Sequence, residues 1–155
     1  MFRESMVIDR GRPHHKRLHG ELGRLMSYSI APYLVAFRHV ALPAPAIAAI
    51  VVLYILSVFF HFISDAQKFY ILPAKPSLIT DGLYSRLRNP NYLGEIMIYC
   101  AYALPSAHWL PFLIVALWSA FFFIPGARAK DKSLSRYPDY AAYRARSWAL
   151  IPLIW

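Results

Sequence analysis

Two apolar runs limit what this chain can fold into. Residues 44–63, from Ala44-Pro-Ala-Ile to His61-Phe-Ile63, are apolar almost without a break. As a helix rising about 1.5 Å per residue they span about 30 Å, the thickness of a bilayer core. Residues 92–125 are interrupted only by Glu95 and by the segment Pro105-Ser-Ala-His108-Trp109-Leu-Pro111. That is too long for one crossing, so the sequence predicts two short helices around a tight turn marked by prolines and polar residues. A third run, residues 25–37, is short and holds Pro32, which leaves a full crossing, a tilted partial span or an interfacial helix open.

The charges orient these pieces. The chain is 58% hydrophobic, too apolar for an ordinary soluble domain, yet carries a formal charge of +9. Residues 1–24 hold six Lys/Arg, residues 64–90 four, and residues 126–155 six, while the turn at 105–111 holds none. Basic blocks lying between apolar spans fit a cytoplasmic membrane face better than nucleic acid. The expectation is an all-α integral membrane helical bundle with three to four spans and a cytoplasmic amphipathic C-terminal helix. A basic cytoplasmic arm, residues 1–24, precedes a membrane domain, residues 25–155. The arm carries no apolar core, so no cleavable signal peptide is expected, and His14-His15 reads as part of a solvated or lipid-facing tail. Cys100, the one cysteine, reads as a small buried hydrophobe. Near the C-terminus, Pro138 and Asp139 suit a first helical turn. Tyr140, Tyr143 and Ser147 then share a face, with Arg144 and Arg146 off it. The final Trp148–Trp155 stretch suits an interfacial anchor.

Polar residues gather in three places: Ser64-Asp65 with Gln67 and Lys68 after the first span, the segment Asp81–Glu95, and Arg128–Arg146. All three face one side in this topology and can converge on one cleft. Each residue has a plain alternative. Asp65 is a helix-end residue, although a carboxylate there opposes the helix dipole. Asn91 is an N-cap. Glu95 suits a first helical turn, yet at membrane depth it needs a partner, for which Arg86 or Arg88 is the candidate. Tyr92 is an aromatic-belt residue. Arg86, Arg88, Arg128 and Arg136 are positive-inside residues, or together a site for a phosphate-bearing cofactor. His61, one turn before Asp65, faces the same site or is a buried, hydrogen-bonded histidine. No dinucleotide fingerprint, Walker loop, His-Glu-x-x-His or paired-cysteine motif is present, and no metal site is expected.

The ordered set Phe62-Ile-Ser-Asp65, Gly82-Leu-Tyr through Asn89-Pro-Asn-Tyr-Leu-Gly-Glu95, Lys130-Asp-Lys-Ser-Leu-Ser-Arg-Tyr-Pro138, Tyr143-Arg and Leu150-Ile-Pro152 resembles the C-terminal domain of the steroid 5-alpha-reductase family. The likeness is greatest to its bacterial branch and covers roughly residues 55–155. The wider superfamily also holds sterol reductases, isoprenylcysteine carboxyl methyltransferases and phospholipid methyltransferases. Its reductases use NADPH and its methyltransferases S-adenosylmethionine. Where the methyltransferases show Arg-His-Pro-x-Tyr, this chain has Arg88-Asn-Pro-Asn-Tyr92. Where they carry a glutamate pair, it has Lys130-Asp131-Lys132.

The resemblance implies a cofactor pocket lined by Asp65, Asn91, Tyr92 and Glu95, with Arg86, Arg88, Arg136 and Tyr137 near phosphates or ribose. It also implies a bacterial inner-membrane enzyme with its cofactor site on the cytoplasmic face. In full-length steroid reductases the acids that polarise the ketone come from upstream helices, and this chain shows no clear equivalent. The leading expectation is an NADPH-dependent reductase of a conjugated double bond in a lipophilic substrate, with Tyr92 and Glu95 as catalytic candidates and Tyr84 as a second hydroxyl donor. The alternatives are a methyltransferase using S-adenosylmethionine on a lipid or prenylated acceptor, and a non-enzymatic module binding membrane lipids.

Overall fold

A computed structural model describes residues 29–74 and 77–152. The basic arm and the last three residues lie outside it. Among the described residues there is no strand, only one isolated bridge between Leu87 and Trp148. Residues 29–38 are helical (α1). Then come α2, Ala44–Ala74, and α3, Pro90–Ala103. Helix α4, Trp109–Leu134, has a π-helical stretch at Ser119–Phe123, and α5 is Tyr140–Ala145. Single 3₁₀ turns at Gly82–Tyr84 and Leu104–Ser106 punctuate the connections.

Helix α2 runs further than the apolar pattern predicts. Its 31 residues carry on through Ser64, Asp65, Gln67 and Lys68, which therefore lie on the helix rather than after it. Nothing between Ile63 and Pro73 breaks a helix, and Ala, Gln and Lys favour one. Along α2 large apolar side chains stand exposed, among them Val52, Ile55, Phe59 and Phe62. The core helix of a soluble protein is mostly covered; this one is not. Helices α2 and α4 are both long and apolar enough to cross a membrane. The 14-residue α3 is shorter, so two spans are evident by length and composition.

Helices α2 and α3 touch backbone to backbone. A Cβ on Gly94 would stand 2.5 Å from the His61 amide nitrogen and 2.8 Å from the Ser57 carbonyl oxygen. Only glycine permits that approach. Ser57 and Ser64 are wholly buried on the same seam, and each hydroxyl donates back to its own helix, to the carbonyls of Tyr54 and His61.

The tight turn between α3 and α4 falls where expected. Ala107 takes a left-handed φ of 46°, and His108 caps α4 by accepting from the Leu110 amide at 3.1 Å. Arg38 reaches the Ala107 carbonyl, which puts the α1–α2 link and this turn at one end of the bundle. The other end holds the loop after α2, the start of α3 and the polar end of α4. Between them Tyr99, Val115, Phe123 and Leu150 form a buried cluster, with Tyr92, Ile96, half-buried Cys100 and Trp118 against it.

The C-terminal segment folds back onto the loop before α3. Tyr140, Tyr143 and Ser147 are buried and Arg144 and Arg146 exposed, as the spacing predicts, but α5 has only 6 residues. Ala149 and Leu150 are buried in the protein, so the tail begins as packing rather than as an interfacial anchor.

Candidate active site

The segment Asp81–Glu95 divides into two parts. The first is a fastener. Arg88 is buried, and its Nε and Nη2 donate to the two oxygens of Asp131 at 2.9 and 3.2 Å. Its Nη1 donates to the Ser147 carbonyl and hydroxyl. Asn89 donates to the Ala149 carbonyl at 2.8 Å. The Tyr143 hydroxyl donates to the Tyr84 carbonyl at 2.6 Å and sits 3.3 Å from that of Leu87. Burial pushes the Tyr143 pKa up to about 12. Two backbone bonds, Arg88 N to Trp148 O and Trp148 N to Arg86 O, complete the join.

This arrangement corrects several expectations. Arg88 pairs with Asp131, not with Glu95. Asn91 is not the cap: Pro90 opens α3, so the cap position falls on Asn89, whose φ of −132° and ψ of 61° keep it out of the helix. Asn89 itself makes no side-chain cap bond. Tyr84 is unsuited to polarise a substrate, because its buried hydroxyl donates to the Ser64 carbonyl at 3.1 Å. Asp65 does not end a helix, since α2 runs on to Ala74, and it pairs instead with Lys68 at 3.3 Å.

The second part is a polar cluster where α2, α3 and α4 meet. Tyr92 leans on Phe123, with ring centroids 5.2 Å apart, and its hydroxyl lies 3.0 Å from where a Cβ on Gly126 would be. The Lys130 Nζ stands over the Tyr92 ring, 3.6 Å from its centroid, in the geometry of a cation–π contact. Lys68, Asp65 and Glu95 all lie within electrostatic reach of Lys130. Glu95 accepts from the Tyr99 hydroxyl at 2.8 Å, one turn along α3. His61 Nδ1 donates to the Asn91 carbonyl at 3.2 Å, which ties α2 to the mouth of α3. The Asn91 side chain is buried, and its Oδ1 meets no protein donor. Such an oxygen is costly unless a ligand or water completes it.

Asp65, Asn91, Tyr92 and Glu95 are thus brought to one end of the bundle. Arg86 is exposed on the preceding loop. Arg136 and Tyr137 sit apart, at the α4–α5 turn, lining a depression of about 690 Å³ with Tyr140 and Arg144. Sequence reasoning undervalued Lys130 and Asp131. Their signal is spacing: Phe123, Ala127 and Lys130 fall on one helical face, and Asp131 is the lone acid in a basic stretch.

Residues 37–128 match the phospholipid methyltransferase family. The chain belongs to that family. It is a membrane protein of lipid metabolism by that membership and by its apolar helices. It is also similar to the Delta(14)-sterol reductase TM7SF2 of Mus musculus, 32% identical over 62 residues, which are 39% of this chain and 15% of that protein. Methyltransferase-like and sterol-reductase-like features therefore meet in one chain. No solved structure matches it.

Proposed function

We propose that this family member is a membrane-bound, NADPH-dependent reductase of a conjugated double bond in a lipophilic substrate, of the steroid 5-alpha-reductase kind. The observation that carries this reading is Lys130 on the face of Tyr92. S-Adenosylmethionine presents a sulfonium, whose favourable aromatic site would be that ring face, and the Lys130 Nζ already occupies it. Lys68 adds a second cation nearby. Two lysines suit the phosphates of a dinucleotide, and Asp65 and Glu95 beside them suit its hydroxyls.

NADPH supplies a hydride when bound. The chain's part is to hold and polarise. Lys68 and Lys130 would bind phosphate, with Arg86 at the loop edge. Asn91 Oδ1 would accept from a cofactor amide or hydroxyl. The Tyr92 hydroxyl would donate to the substrate's carbonyl oxygen, where negative charge develops. Glu95, fixed by Tyr99, would orient that end of the cleft. Arg88 has its role in the fastener, while Arg136 and Tyr137 serve the separate depression.

In this reading α3 is a third, short crossing and α1 belongs to a fourth. The charged end faces the cytoplasm of a bacterial inner membrane, because the opposite end carries Arg38 and no other Lys or Arg between residues 38 and 43 or 104 and 111. Cysteine at exposed Ala107, in a Cys100→Ala background, should label from outside intact cells. Ser106 is fully buried and unsuited as a probe. Labelling only after permeabilisation would reverse the orientation.

A second reading, a methyltransferase acting on a lipid, rests on the family match over residues 37–128. Titrating purified protein in detergent with each cofactor separates the two. Binding of NADPH that weakens with salt supports the reductase. Binding of S-adenosylmethionine without NADPH would replace it with the methyltransferase.

A further inference from the structure

The depression at the α4–α5 turn shares no residue with the polar cluster around Tyr92. Ser135, Arg136, Tyr137, Pro138, Tyr140 and Arg144 give it two guanidinium groups and two phenols. Arg136 lies over the Tyr137 ring at 5.2 Å and reaches its hydroxyl at 3.5 Å, which holds the guanidinium at the rim. Tyr140 is only 5% exposed, and its hydroxyl faces the Asp131 carboxylate, already held by two prongs of Arg88, without forming a well-aligned bond to it. A buried phenol with no well-formed bond, beside two arginines, is a poorly satisfied donor that a further acceptor would complete.

Depth in the membrane supplies the occupant. Helix α4 has 26 residues, about 39 Å at 1.5 Å each. A hydrocarbon core is about 30 Å thick. The polar end of α4 therefore stands in the headgroup layer, and the turn that follows it lies at the level of lipid phosphates. We infer that the depression formed by Arg136, Tyr137, Tyr140 and Arg144 binds the phosphate of an anionic phospholipid headgroup, as a site separate from the cofactor cleft. The guanidiniums would pair with the phosphate oxygens, and Tyr140 would donate to one of them. A lipid held there would fix the height of the protein in the leaflet.

Native mass spectrometry of the full chain in zwitterionic detergent, titrated with phosphatidylglycerol and separately with phosphatidylcholine, tests this. Phosphatidylglycerol should bind preferentially. Arg136→Gln and Arg144→Gln should each lower its affinity about tenfold. Tyr140→Phe should lower it several-fold with no change in charge. Arg146→Gln, the same charge change outside the depression, should leave it within about twofold. An equal loss in Arg146→Gln would show diffuse attraction and overturn the site. Equal retention of the two lipids would do the same. Displacement of the lipid by adenosine 2′-monophosphate at lower concentration than free phosphatidylglycerol would assign the site to a nucleotide and overturn the lipid reading. Should the arginine variants fail to fold, Tyr140→Phe still decides. The outcome is independent of NADPH binding, since the cofactor cleft is unaltered in every variant.

Discussion

The two ends of the Asp81–Glu95 segment use similar residues to opposite effect. Around Arg88 the charged groups are closed on one another: a two-pronged ion pair with Asp131 and bonds to Ser147, with the Asn89 amide on Ala149 and only its Oδ1 left over. Around Tyr92 they are left open, with charges of both signs nearby and the Asn91 Oδ1 unanswered. A buried ion pair with every prong matched makes a rigid joint and has nothing left to offer a ligand. An incompletely answered cluster is where a ligand gains most. The difference teaches that arginine in a membrane-mouth motif is not by itself a sign of anion binding; its partners decide.

Removing the fastener should have the largest effect. Arg88→Ala leaves the Asp131 carboxylate unpaired and largely buried, so stability should fall by about 3–5 kcal/mol. Thermal unfolding in detergent would show it. An unchanged melting temperature would break the contrast, because Arg88 would then be no joint. Gly94→Ala comes next. Its new methyl meets the His61 backbone at 2.5 Å, so α2 and α3 must part, at about 1–3 kcal/mol. Because Asp65 and Glu95 sit on those two helices, cofactor affinity should fall with it.

Lys130→Met sharpens the comparison from the other side. It keeps the packing on Tyr92 and removes the amino group. Melting should shift by no more than about 1 kcal/mol, the scale of a cation–π contact. NADPH affinity should nevertheless fall about tenfold, the scale of one charge-assisted bond. A large stability loss with intact affinity would place Lys130 in the structural class with Arg88.

The smallest expected effect is alkaline. Tyr143 is protonated in the fold up to a pKa of about 12, against 10.0 for the free group. The folded state then holds its proton more tightly, so this contribution is complete below pH 10 and is lost as pH rises toward 12. Tyr143→Phe should flatten stability against pH in that window. A wild-type curve as flat as the variant's would remove the hydroxyl from the joint.

Much of this was legible in the sequence. Apolar length announced the helices, and Pro105, His108 and Pro111 announced the turn. Charge blocks announced the polar end, and the buried face of Tyr140, Tyr143 and Ser147 followed from helical spacing. The pairing of Arg88 with Asp131 was not legible, because it joins residues 43 apart in the chain. Nothing local distinguishes an arginine that meets a carboxylate from one that meets a phosphate. The extension of α2 past Ile63 was missed for a simpler reason: polarity was read as the end of a helix, when it marked only the end of the apolar face.

The π-helical stretch at Ser119–Phe123 carries a consequence for sequence change. A π turn holds one residue more than an α turn and so resets the facing of everything after it by about a quarter of a revolution. The Trp118 and Phe122 rings stack on one another across the start of the reset, and Gly126 and Lys130 meet Tyr92 after it. Losing a single residue within Ser119–Phe123 would leave a shorter helix of ordinary pitch, still apolar and still able to cross. It would also swing Lys130 off the tyrosine and Asp131 off Arg88 together. Length in this stretch is therefore under a stricter constraint than composition: exposed Phe121 exchanged for leucine alters a surface, whereas the same residue deleted unhooks both the joint and the polar cluster.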